Sequence, residues 1–193
     1  MNLQLTSTDY LSILPMVILV VAGMIVLMAD LALKPDRKPL TAWLALIGFV
    51  AAGAASLAIM DRHGLGFGGM IALDPYAQVL GLVAMIAGAF TVLTSFNYIR
   101  DRGFGRSEYY TLLLFSVSGM VMMAAANNLI VVFVALELLS IPLYVLAGFA
   151  RPNLQSEEAA IKYFLLGAFA SGFLLFGVAL MYGALGTTDL TKI

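Results

Sequence analysis

Long apolar runs separated by short polar ones dominate the chain, and their spacing predicts six membrane-spanning helices. Crossing the hydrocarbon core takes about 20 apolar residues. That template fits Leu11 to Leu33, Leu40 to Met60, a run opening at Asp74-Pro75 and reaching about Asn97, Tyr109 to Ala126, Leu129 to Phe149, and Ala159 to about Ala184. Pro15 falls in the opening turns of the first span, where a missing N–H is best tolerated. The breaks carry stop and start chemistry. The linker KPDRKP, residues 34–39, joins charge to proline. Asp74 offers an acceptor just before Pro75, which suits the first position of a helix. Asn127 and Asn128 predict a tight uncharged turn, and Arg151-Pro152-Asn153 predicts the stop of the fifth helix. Ser156 is the expected N-cap of the sixth helix, with Glu157 and Glu158 in the first turn where the macrodipole favours them. The terminal GTTDLTKI is polar and simply stops. The predicted fold class is therefore all-α, a polytopic transmembrane helical bundle.

Composition agrees: 62% of residues are hydrophobic and 11% charged, with a mean hydropathy of +1.01, against roughly 25% charged in a soluble domain. Six spans place alternate connections on opposite faces. One face then holds Lys34, Arg37, Lys38, Arg100, Arg102, Arg106 and Arg151, the other only Arg62 and Lys192. By the positive-inside rule both termini lie on the outer, periplasmic side. The amino terminus has no Lys or Arg, and its apolar run is too long for a signal-peptide core, so a retained first span is expected. The basic residues are sorted by side rather than gathered into a patch, and a net charge of −1 suggests no nucleic-acid partner. With no cysteine and the single His63, the chain lacks ligands for an iron–sulfur cluster, a zinc set or a bis-histidine haem. Gly64 to Gly69 matches G-x-G-x-x-G by letter, but it follows a membrane helix rather than a strand, so it is expected to be a flexible loop with an exposed His63 beside it.

The chemical focus is LIVVFVALELLSIPLYVLAGF, where Glu137 sits mid-span with Pro142 five residues later. Insertion scales put a mid-membrane charge at about 2.5 to 3.5 kcal/mol, which makes such an acid a functional candidate by default. At 100° per residue Glu137, Ser140 and Tyr144 share one face, a polar stripe that should meet protein or water. Pro142 cannot donate to the carbonyl of Leu138, and Ser140 or a water could satisfy the freed acceptor. Lys162 is the one basic residue inside a predicted span and the natural partner of Glu137. It also has Glu158 four residues earlier in the favourable order and can snorkel. Burial favours neutral forms of an acid–amine pair while mutual attraction favours the ionised forms, so a small change in separation or hydration would move a proton. Interhelical fastening by Glu137 is the structural alternative.

Around these residues the wording is SEYYTLLLFSVSGMVMMAAANNLIVVFVALELLSIPLYVLAGFAR followed by SEEAAIKYFLLGAFASGFLLFGVALMYGALGTTDL. It closely resembles the subunit N family of the bacterial proton-translocating NADH–quinone oxidoreductase, respiratory complex I. The resemblance is dense from Ser107 to Leu190, with the first three spans agreeing in layout. It implies an antiporter-like membrane-arm subunit in which a glutamate on the fifth helix and lysines on later helices form a proton path driven by quinone reduction elsewhere. Glu137 and Lys162 match the family's glutamate and sixth-helix lysine. It also implies a division into residues 1–106, three amino-terminal helices, and residues 107–193, the first three helices of an incomplete inverted repeat, because family members are considerably longer. NADH, flavin, iron–sulfur clusters and quinone would belong to other subunits, with no cofactor in this chain. Its partners would be other membrane-arm subunits and the lipid of the bacterial inner membrane. A subunit of a multi-subunit sodium/proton antiporter, or a structural assembly piece, are the competing readings.

Overall fold

The structure, a computed structural model, describes residues 6–33, 40–101 (backbone only at 97, 98, 100 and 101) and 108–193. Its helices are α1 (Ser7–Ala32), α2 (Leu40–Ala58), α3 (Pro75–Asp101), α4 (Glu108–Ala124), α5 (Leu129–Ala147) and α6 (Leu154–Leu185). These are the six predicted spans. Five are long and apolar enough to cross a membrane, and α4, at 17 residues, is shorter. Of the basic residues used for orientation, Lys34, Arg37, Lys38, Arg102, Arg106 and the Arg100 side chain lie outside the described residues, as does the KPDRKP linker.

Helix boundaries move where a polar side chain, rather than the apolar run, decides the start. α1 begins at Ser7 rather than Leu11, because the Asp9 carboxylate accepts from the Thr6 N–H at 2.7 Å and its hydroxyl at 2.8 Å. Pro15 consequently lies two turns inside the helix, where it is buried. Asp74 caps α3 as expected, accepting from the Ala77 N–H at 2.7 Å. The N-cap of α6 is Asn153 rather than Ser156, and accepts from the N–H groups of Gln155 and Ser156 at 3.0 and 3.2 Å. Ser156 instead donates its hydroxyl to the Ala147 carbonyl at 2.7 Å, satisfying the end of α5.

α4 occupies the middle of the bundle and packs against α1, α3 and α5. The main core lies between α1, α2, α3 and α4, around Leu19, Val26, Phe49, Val92, Leu114 and Val117. α5 packs on α4, and α6 on α5. Apolar side chains such as Phe169, Phe173 and Phe176 on α6 remain exposed, as suits a surface that meets lipid or further helices.

At the end of the bundle where α1 begins, the connections are tied together. The glycine-rich connection is a hairpin rather than a loose loop: β1 (Gly64–Gly66) pairs antiparallel with β2 (Ile71–Leu73), Gly64 opposite Leu73. Phe67, Gly68 and Gly69 turn the corner at φ of 52°, 66° and 95°, a left-handed run that glycine makes accessible. Asp9 accepts from the Phe67 N–H, and Asn127 Nδ2 donates to the Gly69 carbonyl at 2.8 Å. His63 beside the hairpin is exposed.

The polar tail is also tied to this end of the bundle. The Leu129 N–H donates to the Thr188 carbonyl at 2.8 Å, and the Leu190 N–H to that of Asn127 at 3.2 Å. Asn128 is the common fastening: Oδ1 accepts from the Ile130 N–H at 2.9 Å as the N-cap of α5, while Nδ2 donates to Thr188 Oγ1 at 2.9 Å. Asp189 accepts from Thr191 Oγ1 at 2.7 Å and from the Lys192 ammonium at 2.8 Å. Lys192, then Thr191, hold that carboxyl at about 2, below the usual 3.8.

Asn128→Ala should lower stability by about 1 kcal/mol through loss of the cap, read by thermal unfolding of the purified full-length protein. The Asp189 group has a depressed pKa, so its contribution is complete above about 3.8 and is lost as the pH falls through about 2. Protection of the Thr191 amide in hydrogen exchange should accordingly survive at about pH 4 and vanish below about pH 2. High salt should weaken it, since Lys192 is largely exposed.

Candidate functional site

α5 contains both of the features that a lipid-embedded helix tolerates least, a carboxyl at mid-length and an internal proline. Oε1 of Glu137 is buried and has no hydrogen-bond partner among the described residues. Ser140 and Tyr144, on the same side of α5 as Glu137, are buried, and so is Pro142, about 160° around the helix from them. The predicted stripe therefore faces protein.

Pro142 deprives the Leu138 carbonyl of its i+4 donor. The hydroxyl that reaches this stretch of backbone comes from neither Ser140 nor α5 at all. Ser116 of α4 donates to the adjacent Leu139 carbonyl at 3.0 Å. One turn along α4, Gly119 lies so close to α5 that an added Cβ would stand 2.8 Å from the Leu139 Cα and 2.9 Å from the Leu138 carbonyl carbon. Backbone meets backbone there, which only a residue without a side chain allows. Ser116 and Gly119 were not among the predicted site residues. Their signal is the SVSG run at 116–119, small residues spaced i, i+3 in an otherwise apolar helix.

On its other side α5 meets α6 through Tyr144. Its ring packs edge-on against Tyr163 at 4.7 Å and Phe164 at 5.8 Å between centroids. Its hydroxyl occupies the space that a side chain at Gly167 would need. Nearer the end of α5, an added Cβ on Gly148 would come 2.8 Å from the Cβ of Ala160. These two contacts set the antiparallel register, in which Glu137 is level with about residue 174 of α6. Lys162 is then displaced by about twelve residues, roughly 18 Å along the axis at 1.5 Å per residue.

Lys162 also points the other way. Ser171 and Val178 are the buried positions of α6, and Lys162 lies about 180° around the helix from Ser171. It is exposed and paired with Glu158, the i, i+4 arrangement. The structure thus sets Glu137, Ser140 and Tyr144 along one side of α5, with Pro142 on another, and leaves Lys162 apart. A direct Glu137–Lys162 pair does not form among the described residues.

Tyr144 lines a cavity of about 320 Å³ that opens at the end of the bundle opposite the hairpin, with Glu108, Phe149 and Arg151 at its walls. A neighbouring cavity of about 410 Å³ shares Gly148, Arg151 and Ala160 with it and adds Glu157. Glu108 and Arg151 thus share a cavity with Tyr144, the stripe residue nearest that end. Chemically the arrangement can hold, accept or release a proton at a carboxyl shielded from bulk water.

Fold and burial together define a polytopic, multi-pass helical membrane protein with an acid enclosed in its bundle. Residues 126–193 match the family described as NADH:quinone oxidoreductase/Mrp antiporter, transmembrane. NADH-quinone oxidoreductase subunit N from Chloroflexus aggregans is 42% identical over 193 residues, all of this chain and 40% of the relative. Subunit N from Myxococcus xanthus is 41% identical, covering 99% of this chain and 37% of its own. Among solved structures, respiratory complex I from Thermus thermophilus with bound aureothin superposes with a TM-score of 0.75 at 36% identity, over 91% of this chain and 38% of that one. An archaeal membrane-bound sulfane sulfur reductase superposes at 0.71 with 22% identity, which extends the likeness of fold alone. The chain is thus similar along its whole length to subunit N of NADH-quinone oxidoreductase, and spans about two-fifths of the length of the curated relatives it matches.

Gly119→Ala should destabilise the full-length protein by about 1 to 3 kcal/mol, since the obstructing atoms are backbone and cannot rotate away. Gly172→Ala on α6, where an added Cβ meets nothing within 4 Å, should be neutral or stabilising by up to about 1 kcal/mol. Thermal unfolding of the two variants side by side makes the comparison.

Proposed function

We propose that this chain forms part of a membrane-arm subunit of a proton-translocating NADH–quinone oxidoreductase and that Glu137 is its proton-carrying acid. The observation that carries the reading is the buried, unpartnered Oε1 of Glu137 beside Pro142. An acid used only to fasten helices would have its oxygens engaged by neighbours, because leaving a buried polar group unpaired is destabilising. A proton site needs the opposite: an acid whose two protonation states differ little in free energy and whose surroundings admit water on demand.

In this reading a proton reaches the stripe from the rim lined by Glu108 and Arg151, passes Tyr144 and Ser140 through intervening water, and is held at Glu137. Lys162 is a second station rather than a counter-ion. It faces away from α5, so transfer between the two passes through water or groups from the remaining length of the protein. Quinone reduction, with NADH, flavin and iron–sulfur clusters, belongs to partner subunits, and this chain contributes proton movement without redox chemistry of its own. Residues 1–106 then form an amino-terminal layer and residues 107–193 the beginning of the translocating repeat. The protein lies in the bacterial inner membrane with the hairpin, the start of α1 and the 186–193 segment outside.

A sodium/proton antiporter subunit is the second reading, favoured by the other half of the matching family's description. Sodium-dependent transport by a complex without NADH oxidation would establish it. For the first reading, Glu137→Gln in the intact oxidoreductase should reduce protons pumped per NADH oxidised while the assembled complex persists. Pumping at the wild-type level contradicts the assigned role.

A further inference from the structure

α4 carries two serines with no exposed surface, and they do different things. Ser118 donates to the Phe115 carbonyl three residues back, at 2.7 Å, inside its own helix. Ser116 reaches across to the Leu139 carbonyl of α5 at 3.0 Å. Leu139 lies between Glu137 and Pro142, in the part of α5 where the backbone ladder is interrupted because Leu138 has no i+4 donor. A helix weakened there would flex at the residue that carries the acid.

We infer that Ser116 is a positioning residue for Glu137, holding the segment between the acid and the proline against the backbone notch made by Gly119. The inference rests on the reading of Glu137 as the proton-carrying acid, and it adds the element that fixes where the carboxyl stands. Two restraints act on the same pair of residues. The Ser116 hydroxyl fixes the Leu139 peptide, and the close approach at Gly119 fixes the Leu138–Leu139 backbone laterally. Neither touches the carboxyl, so their effect on it passes through the backbone of α5. Both lie in the α4–α5 interface, on the side of α5 away from α6. A carboxyl displaced by a fraction of an ångström loses its alignment with the waters that deliver protons, and such misplacement is costly in transfer reactions.

The test uses the full-length subunit in the assembled oxidoreductase. Infrared carboxyl bands that Glu137→Gln removes identify the acid. Ser116→Ala is expected to shift and broaden those bands and to lower protons pumped per electron, with the subunit incorporated at the wild-type level. Ser118→Ala, which removes the same hydroxyl two residues along and about 160° around α4, should leave the bands in place. Wild-type frequency and width in Ser116→Ala overturns the inference, and so does an equal shift in Ser118→Ala. Wild-type pumping by Glu137→Gln would defeat the relay reading separately, and the band comparison would still decide whether Ser116 positions the acid.

Discussion

A bilayer supplies no hydrogen bonds, so every backbone group and every charge at membrane depth depends on the protein for its partners. α5 breaks this rule twice within six residues, with the acid at Glu137 and the proline at 142. Much of the bundle follows from that constraint. α4 sits at the centre with its small residues turned to α5, so that backbone can approach backbone at Gly119 and Ser116 can donate into the damaged ladder. α6 covers the opposite side, with Tyr144 lodged where Gly167 leaves room. Among the described residues, the buried Oε1 of Glu137 has no hydrogen-bond partner, which is costly in a strut and useful in a proton site.

The ends of the helices are treated differently. Where α1 begins, a hairpin, the turn at Asn127-Asn128 and the 186–191 segment are fastened by hydrogen bonds that Asp9 accepts and Asn127 and Asn128 donate. This end is stiff. The opposite end opens into cavities lined by Glu108, Arg151 and Glu157. The two ends of the bundle are therefore unlike: one is tied by hydrogen bonds, and the other holds cavities with charged walls.

Apolar run length made the six helices legible, because the requirement for about 20 residues is imposed by the bilayer itself. Asp74-Pro75 announced α3 because capping chemistry is local. That Ser140, Tyr144 and the Oε1 of Glu137 are buried on one face followed from helical periodicity. Less legible was anything decided between helices. That Ser116 rather than Ser140 serves the broken stretch depends on how α4 lies across α5, and the ties of a polar stretch such as GTTDLTKI show only once Asn128 is brought beside it. Whether Glu137 and Lys162 touch was likewise not legible, and among the described residues they do not. Sequence spacing placed both residues in membrane helices, but the register set at Tyr144–Gly167 and the rotation of α6 put Lys162 with Glu158 instead.

The central claim is that Glu137 is enclosed without a counter-ion, as a proton site rather than half of an ion pair. A double-mutant cycle on the unfolding free energy of the full-length protein tests it most directly, using Glu137→Gln, Lys162→Gln and the pair together. The account predicts that Glu137→Gln is neutral or stabilising and that the two changes add to within about 0.5 kcal/mol. A loss of about 3 to 5 kcal/mol on Glu137→Gln, with strong coupling to Lys162, would mark a buried salt bridge and contradict it.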